Sequence, residues 1–189
     1  MTAYAGTSYG LRSLINRDLK TNYDLWFVVG QTGDWTAEPA PNSFAPGDTS
    51  IATPVVAIKP AVVSLCREVS EVDYNLLLEG QRASVVIEGV THYFAFVADE
   101  DYLTEYARFL YAHAIYSTPL GHPSPDTGSF RQYSVHCSLT PAAGYEDADW
   151  LAPANIDDYG ILLYSNKREA IAVNSSGPIV VLPMLLEVR

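Results

Sequence analysis

Between Ser8 and Lys20 the apolar residues Leu11, Leu14, Ile15 and Leu19 recur with the turn of an α-helix, and Ser8 or Thr7 can cap its first amides. The period breaks at Asn22 to Asp24. Leu25-Trp26-Phe27-Val28-Val29 then forms an unbroken β-prone run closed by Gly30, the pattern of a buried strand. Further β-like runs cover Val55 to Ile58, Val62 to Arg67, Tyr74 to Leu78, Ser84 to Ile87 and Thr91 to Val97, and Glu88-Gly89 turns the last two into a hairpin. At Leu103 the period changes. Leu103, Tyr106, Ala107, Leu110 and Ala114 line one helical face, and Asp99 to Asp101 stand where a helix amino end favours carboxylates, so Leu103 to Tyr116 is expected to be a second helix. Strands return over Gln132 to Leu139, Gly160 to Ser165, Ala170 to Asn174 and Ile179 to Val188.

Turn-forming residues separate these elements. A Gly- and Pro-rich stretch runs from Gln31 to Asp48, Ser117 to Ser129 is interrupted by Pro119, Gly121, Pro123, Pro125 and Gly128, and Thr140 to Asp158 reads as an acidic loop. The expected class is a strand-rich α+β fold, mainly antiparallel, with two short-to-medium helices, as one domain over residues 1–189 with extended loops near 31–53 and 117–129. A connection as long as the first loop is uncommon in a compact domain and usually serves binding, which makes it the first candidate for an interaction arm. Trp35 sits in that loop either as an interface anchor or as a side chain pinning the loop to its own domain.

Composition narrows the function. A net charge of -11 and a pI near 4.6, without a basic cluster, argue against nucleic-acid binding, which depends on Lys and Arg to neutralise phosphates. With 48% apolar and 17% charged residues the chain is expected to fold rather than to be disordered. The acidic clusters Asp99-Glu100-Asp101, Glu146-Asp147 with Asp149, and Asp157-Asp158 read as solvated loops. None of them has the alternating carboxylate loop of a calcium site. Thirteen Tyr, six Phe and three Trp supply large rigid surface for a core or for interfaces. The amino-terminal residues show no leader pattern and no stretch is long and apolar enough to insert in a membrane, so a protein made in a cytoplasm is expected. Cys66 and Cys137 have no metal-binding spacing and are expected reduced and buried.

Catalytic signatures are missing. There is no nucleophile elbow, phosphate-binding loop or zinc-protease motif, and Gly30-Gln31-Thr32-Gly33 lacks the third Gly and the helix of a dinucleotide site. His92, His113, His122 and His136 are widely spaced, which does not suggest a metal centre. Glu100, Asp101 and Glu105 are neighbours in sequence, but a carboxylate pair needs a spatial separation that spacing does not give. Tyr106, Phe109 and Tyr111 offer a carbohydrate or partner surface, with Tyr106 expected in the core by its helical period. No enzyme activity and no cofactor are expected.

Three blocks in order resemble the wedge-subunit family of contractile phage baseplates, related to gene product 8 of large coliphages. They are Trp26 to Trp35 followed by Pro39 and Pro41; Tyr106 to Tyr111 leading to Phe130-Arg131-Gln132; and Tyr159 to Arg168 with the terminal run Leu185-Leu186-Glu187-Val188. The resemblance implies a structural subunit in the virion, assembled in the host cytoplasm. It would join neighbouring wedge proteins and relay the change that starts sheath contraction. Its partners would be other baseplate and tail proteins, and a second copy as a homodimer. Interface positions would be Trp35, Pro39, Pro41 and Phe44 on the arm, and Tyr164, Asn166 and Arg168 at a hairpin tip or strand end. The alternative reading, prompted by the aromatic content, is a receptor- or glycan-binding tail module.

Overall fold

Leu25-Trp26-Phe27-Val28-Val29-Gly30 forms the strand its apolar run predicts, and all six residues are buried. The computed structural model describes residues 9–32, 51, 53–87, 89–173 and 179–187. In it, helix α1 (Tyr9–Asn22) precedes this strand, β1 (Leu25–Gly30), which is followed by β2 (Val56–Ile58) and β3 (Val62–Val69). A short helix α2 (Glu71–Leu76) leads to β4 (Arg82–Ile87), β5 (Val90–Val97), β6 (Phe109–Tyr116) and β7 (Ser129–Cys137). The short β8 (Thr140–Pro141), β9 (Trp150–Leu151) and β10 (Ile156–Asp158) precede β11 (Ile161–Ala172) and β12 (Val180–Glu187). The strand-rich, antiparallel character and the helix α1 agree with the sequence pattern; α2 stands where a strand was expected.

The strands form a five-stranded sheet in the order β11-β7-β1-β2-β9, a second in the order β12-β6-β3-β5-β4, and the small pair β10-β8. β1 is antiparallel to both β7 and β2, so neighbours cover its edges, and packing covers its faces. That is why it reads as a continuous hydrophobic run rather than an alternating one.

Contacts gather the chain into two units, each built from separated stretches. One takes in the described parts of 1–23, 62–112 and 183–189; the other those of 24–61 and 113–182. The first has a core of Cys66, Ala83, Phe94, Phe109 and Tyr111, in which Phe94 meets Phe109 edge-on at 5.2 Å between ring centres. The second packs Trp26, Val28, Ile51, Ala57, Leu139 and Leu151.

Three expectations are corrected. Leu103 to Tyr116 is not a helix: bonded turns end at Tyr106, and Phe109-Leu110-Tyr111-Ala112-His113-Ala114-Ile115-Tyr116 is the strand β6. Aromatic and branched residues in an almost wholly buried segment fit a central strand, and the apparent helical period came from apolar residues that a two-sided strand also requires. Tyr74 to Leu78 is not a strand. Ser70 caps the amide of Asp73 at 3.1 Å and donates to the Asp73 carboxylate at 2.8 Å, which starts α2. The helix α1 forms as expected but is rotated: Ser13 and Asn16 are fully buried, whereas Leu11 and Leu14 are each 47% exposed. Both thiols are free and buried. No helix among the described residues is long and apolar enough to cross a membrane.

Candidate functional site

A surface cleft of about 600 Å³ in the first unit is lined by Arg67, Glu68, Glu105, Tyr106 and Arg108. Two segments build it. The end of β3 supplies Arg67 and Glu68, and the turn before β6 supplies Glu105, Tyr106 and Arg108. In that turn the Ala107 amide reaches back to the Tyr102 carbonyl at 3.1 Å, and Tyr106 has a left-handed backbone with φ of 50°. This is the closing arrangement of a helical turn, where Gly is usual; a large side chain there costs about 1 kcal/mol. The result is a Tyr106 ring that is 61% exposed, not a core residue as its period suggested. Phe109 and Tyr111, by contrast, are buried.

The charges around the cleft are linked. Arg67 pairs with Glu105 at 3.0 Å, while Glu68 receives His92 at 2.8 Å and Arg108 at 3.7 Å. Arg108 and Arg12 each lie 3.8 Å from Glu187. Arg108 also stacks over the Phe109 ring at 4.7 Å. Partly exposed pairs of this kind contribute about 0–1 kcal/mol each, so the network orients side chains more than it stabilises the fold. The two carboxylates are half-exposed and each rests on a guanidinium. Neither has the desolvated pocket in which a carboxyl serves as a general acid.

One constellation does have nucleophile-and-base geometry. On β7, Ser134 and His136 project to the same face because strand residues two apart share a face. The Ser134 hydroxyl lies 2.9 Å from His136 Nε2, and His136 Nδ1 lies 3.0 Å from the Tyr159 carbonyl. A carbonyl only accepts, so Nδ1 carries the proton and Nε2 accepts from the serine. Both residues are completely buried beside Trp26 and Val28, their cross-strand neighbours. Burial holds the His136 pKa below the usual histidine value. No substrate reaches the pair. With Gln132, which donates to Ser165 at 2.8 Å, it forms a buried polar ladder that fixes the pairing of β7 with its neighbours.

The opposite face of β7 gathers two of the residues singled out from sequence. Asn166 donates to the Tyr133 hydroxyl at 3.2 Å and to the Tyr164 hydroxyl at 3.1 Å, and Tyr133 stacks on Phe27 with ring centres 6.3 Å apart. Tyr164 and Asn166 thus bond within the chain, mid-strand in β11 rather than at a hairpin tip. Arg168 lies in the same strand. Trp35, Pro39, Pro41 and Phe44 lie outside the described residues. No group of three metal-ligating side chains occurs among the described residues. Of the cleft residues, Glu105 and Tyr106 were weighed from sequence, whereas Arg67 and Glu68 look like ordinary solvated charges and their meeting with the turn before β6 is a long-range event.

The described residues thus define a strand-rich, mainly antiparallel protein with hydrogen-bonded polar side chains inside its sheets and ion pairs on its surface. The chain belongs to the baseplate wedge 3 tail fiber network component family, whose model matches residues 4–182. It is also 32% identical over 155 residues to Virion protein 3 of Enterococcus phage phiEF24C, covering 80% of this chain and 77% of the relative. It is therefore a virion structural protein of a phage tail baseplate, and its partners include other baseplate or tail proteins.

Proposed function

We propose that the chain is a non-enzymatic connector that links neighbouring wedge proteins in the baseplate and relays the change that triggers sheath contraction. The family match across nearly the whole chain carries this reading. The surface chemistry supports it. Contacts built from ion pairs such as Arg67–Glu105 and Arg108–Glu68 can be exchanged between two assembly states, because each holds little energy. Moving a two-state assembly from 1:99 to 99:1 takes about 5.5 kcal/mol of differential contact, so at about 0–1 kcal/mol each many such pairs must change together. The arm carrying Trp35, Pro39, Pro41 and Phe44, and the strand positions Tyr164, Asn166 and Arg168, are proposed as contacts, with assembly in the host cytoplasm. Cross-linking of extended and contracted tails tests the relay. Links from this chain to wedge proteins should change on contraction, and an identical set in both states would sink it.

A second reading, a receptor- or glycan-binding module, is favoured by Tyr106 alone: an exposed ring on strained backbone beside two Arg–Glu pairs suits a sugar face and its hydroxyls. Binding of the purified chain to a glycan array, lost in Tyr106→Ala, would promote this reading over the connector.

A further inference from the structure

We propose that α2 and the residue pair after it form a rigid apolar knob that inserts into an apolar groove, rimmed by Lys or Arg, on a neighbouring tail protein. The inference rests on the connector reading and names a surface for it.

The knob is built by one inward residue. Tyr74 packs against Tyr93 with ring centres 4.9 Å apart, and the Arg82 guanidinium covers its ring at 4.4 Å. Arg82 Nη1 also donates to the Tyr74 carbonyl at 2.8 Å, and the Leu77 amide to the same oxygen at 3.1 Å. Residues two before and two after Tyr74 lie about 200° around the helix from it, which aims Val72 and Leu76 at solvent. They are 71% and 80% exposed, and Leu78, held beyond the helix end by the Gln81 side chain, is 72% exposed. No residue of α2 is buried. A six-residue helix that is capped at Ser70, clamped at Tyr74 and turned with its aliphatic side outward buries nothing of its own. Clustered exposed aliphatics on an ordered element mark an interaction site rather than scattered surface apolarity.

Charge selects the occupant. Glu71, Asp73 and Glu79 are exposed and interleaved in sequence with Val72, Leu76 and Leu78, residues 68–81 contain no Lys or Arg, and the Arg82 guanidinium that follows lies over the Tyr74 ring. A second copy meeting the knob with its own would bring these carboxylates together in a chain already at -11, which like-charge repulsion disfavours. A groove with a basic rim meets both features: its floor takes Val72, Leu76 and Leu78, and its edge pairs with the carboxylates.

The test replaces the wild-type chain in phage-producing cells with the combined variant Val72→Ser, Leu76→Ser and Leu78→Ser, and measures the chain in purified tails against sheath protein by quantitative mass spectrometry. The exposed positions predict an unchanged Tm for the purified variant, whereas its amount in tails should fall about tenfold or more, the loss of roughly 1.4 kcal/mol of docking. Glu71→Lys with Glu79→Lys should lower incorporation as well, and Leu76→Met should retain it. Wild-type incorporation of the folded serine variant overturns the knob, and unimpaired incorporation of the lysine variant overturns the basic rim. Sedimentation that shows a wild-type dimer dissolved by the serine substitutions would assign the surface to a second copy and overturn the proposal. Failure of the connector reading looks different: the wild-type chain present in tails, with cross-links to wedge proteins identical before and after contraction.

Discussion

Gly160 packs so closely under the turn after β7 that a Cβ placed on it would meet the Cys137 carbonyl oxygen and come within 2.6 Å of that of Ser138. Its φ of 66° lies in the left-handed region, and Ser138, opposite, holds φ of 59° without being Gly. Gly160→Ala therefore combines a backbone clash with a strained conformation. It should cost more than about 1 kcal/mol, while Ser138→Gly relieves about 1–2 kcal/mol of left-handed strain against about 0.4–1 kcal/mol of added unfolded-state freedom and should be neutral to mildly stabilising. Chemical denaturation of the two variants checks both signs.

Asn166 ties two tyrosine hydroxyls on adjacent strands. Replacing it with Leu removes both bonds and should cost about 1–2 kcal/mol, with a changed near-UV circular dichroism from Tyr133 and Tyr164. An unchanged spectrum and midpoint would show that the tyrosines are positioned by packing alone.

Burial lowers the pKa of His136, His122 and His113 below the ordinary histidine value near 6.5. His122 Nδ1 accepts from the Ser117 amide at 3.0 Å, a bond the protonated ring cannot make. Between the lowered folded values and 6.5 the unfolded chain binds more protons, so stability rises with pH there. The contribution is complete above about pH 6.5 and is lost as pH falls toward the folded values. Tm should drop from pH 7 to 5, and His136→Gln, though less stable, should show a shallower drop. A Tm independent of pH over that range would contradict the assignment.

Tyr74 is the clamp of α2, so Tyr74→Ala should loosen that element while leaving the sheets intact. Hydrogen exchange should accelerate at amides of Glu71 to Leu78 with little change in β1 or β7. Uniform acceleration across the chain would mean instead that Tyr74 supports the whole unit.

Cys66 is fully buried, and burial pushes its thiol pKa far up; Cys137 is 2% exposed and also raised. A thiol reagent should modify neither in the native protein and both after denaturation. Rapid labelling of one thiol would reveal local opening of its strand.

Local pattern was sufficient where an element's surroundings are the same on all sides or where a short motif decides the conformation. The run from Leu25 to Gly30 had to be a buried strand, Gly89 turns between β4 and β5 with φ of 80°, and the acidic balance set the net charge. The three ordered blocks also carried the baseplate family. Two elements went astray because an apolar run has no period of its own. Phe109 to Tyr116 became a strand through its sheet neighbours, and Tyr74 to Leu78 became helix end and turn through the Ser70 cap and the Arg82 clamp. Leu76 illustrates the remainder: its sequence marks it as core, but the inward packing of Tyr74 decides that it faces water. The meeting of Arg67 with Glu105, and of Ser134 and His136 with the Tyr159 carbonyl, likewise depends on strand pairing across distant parts of the chain. Sequence determined what each segment could be; only long-range packing decided which faces were sealed and which were left to partners.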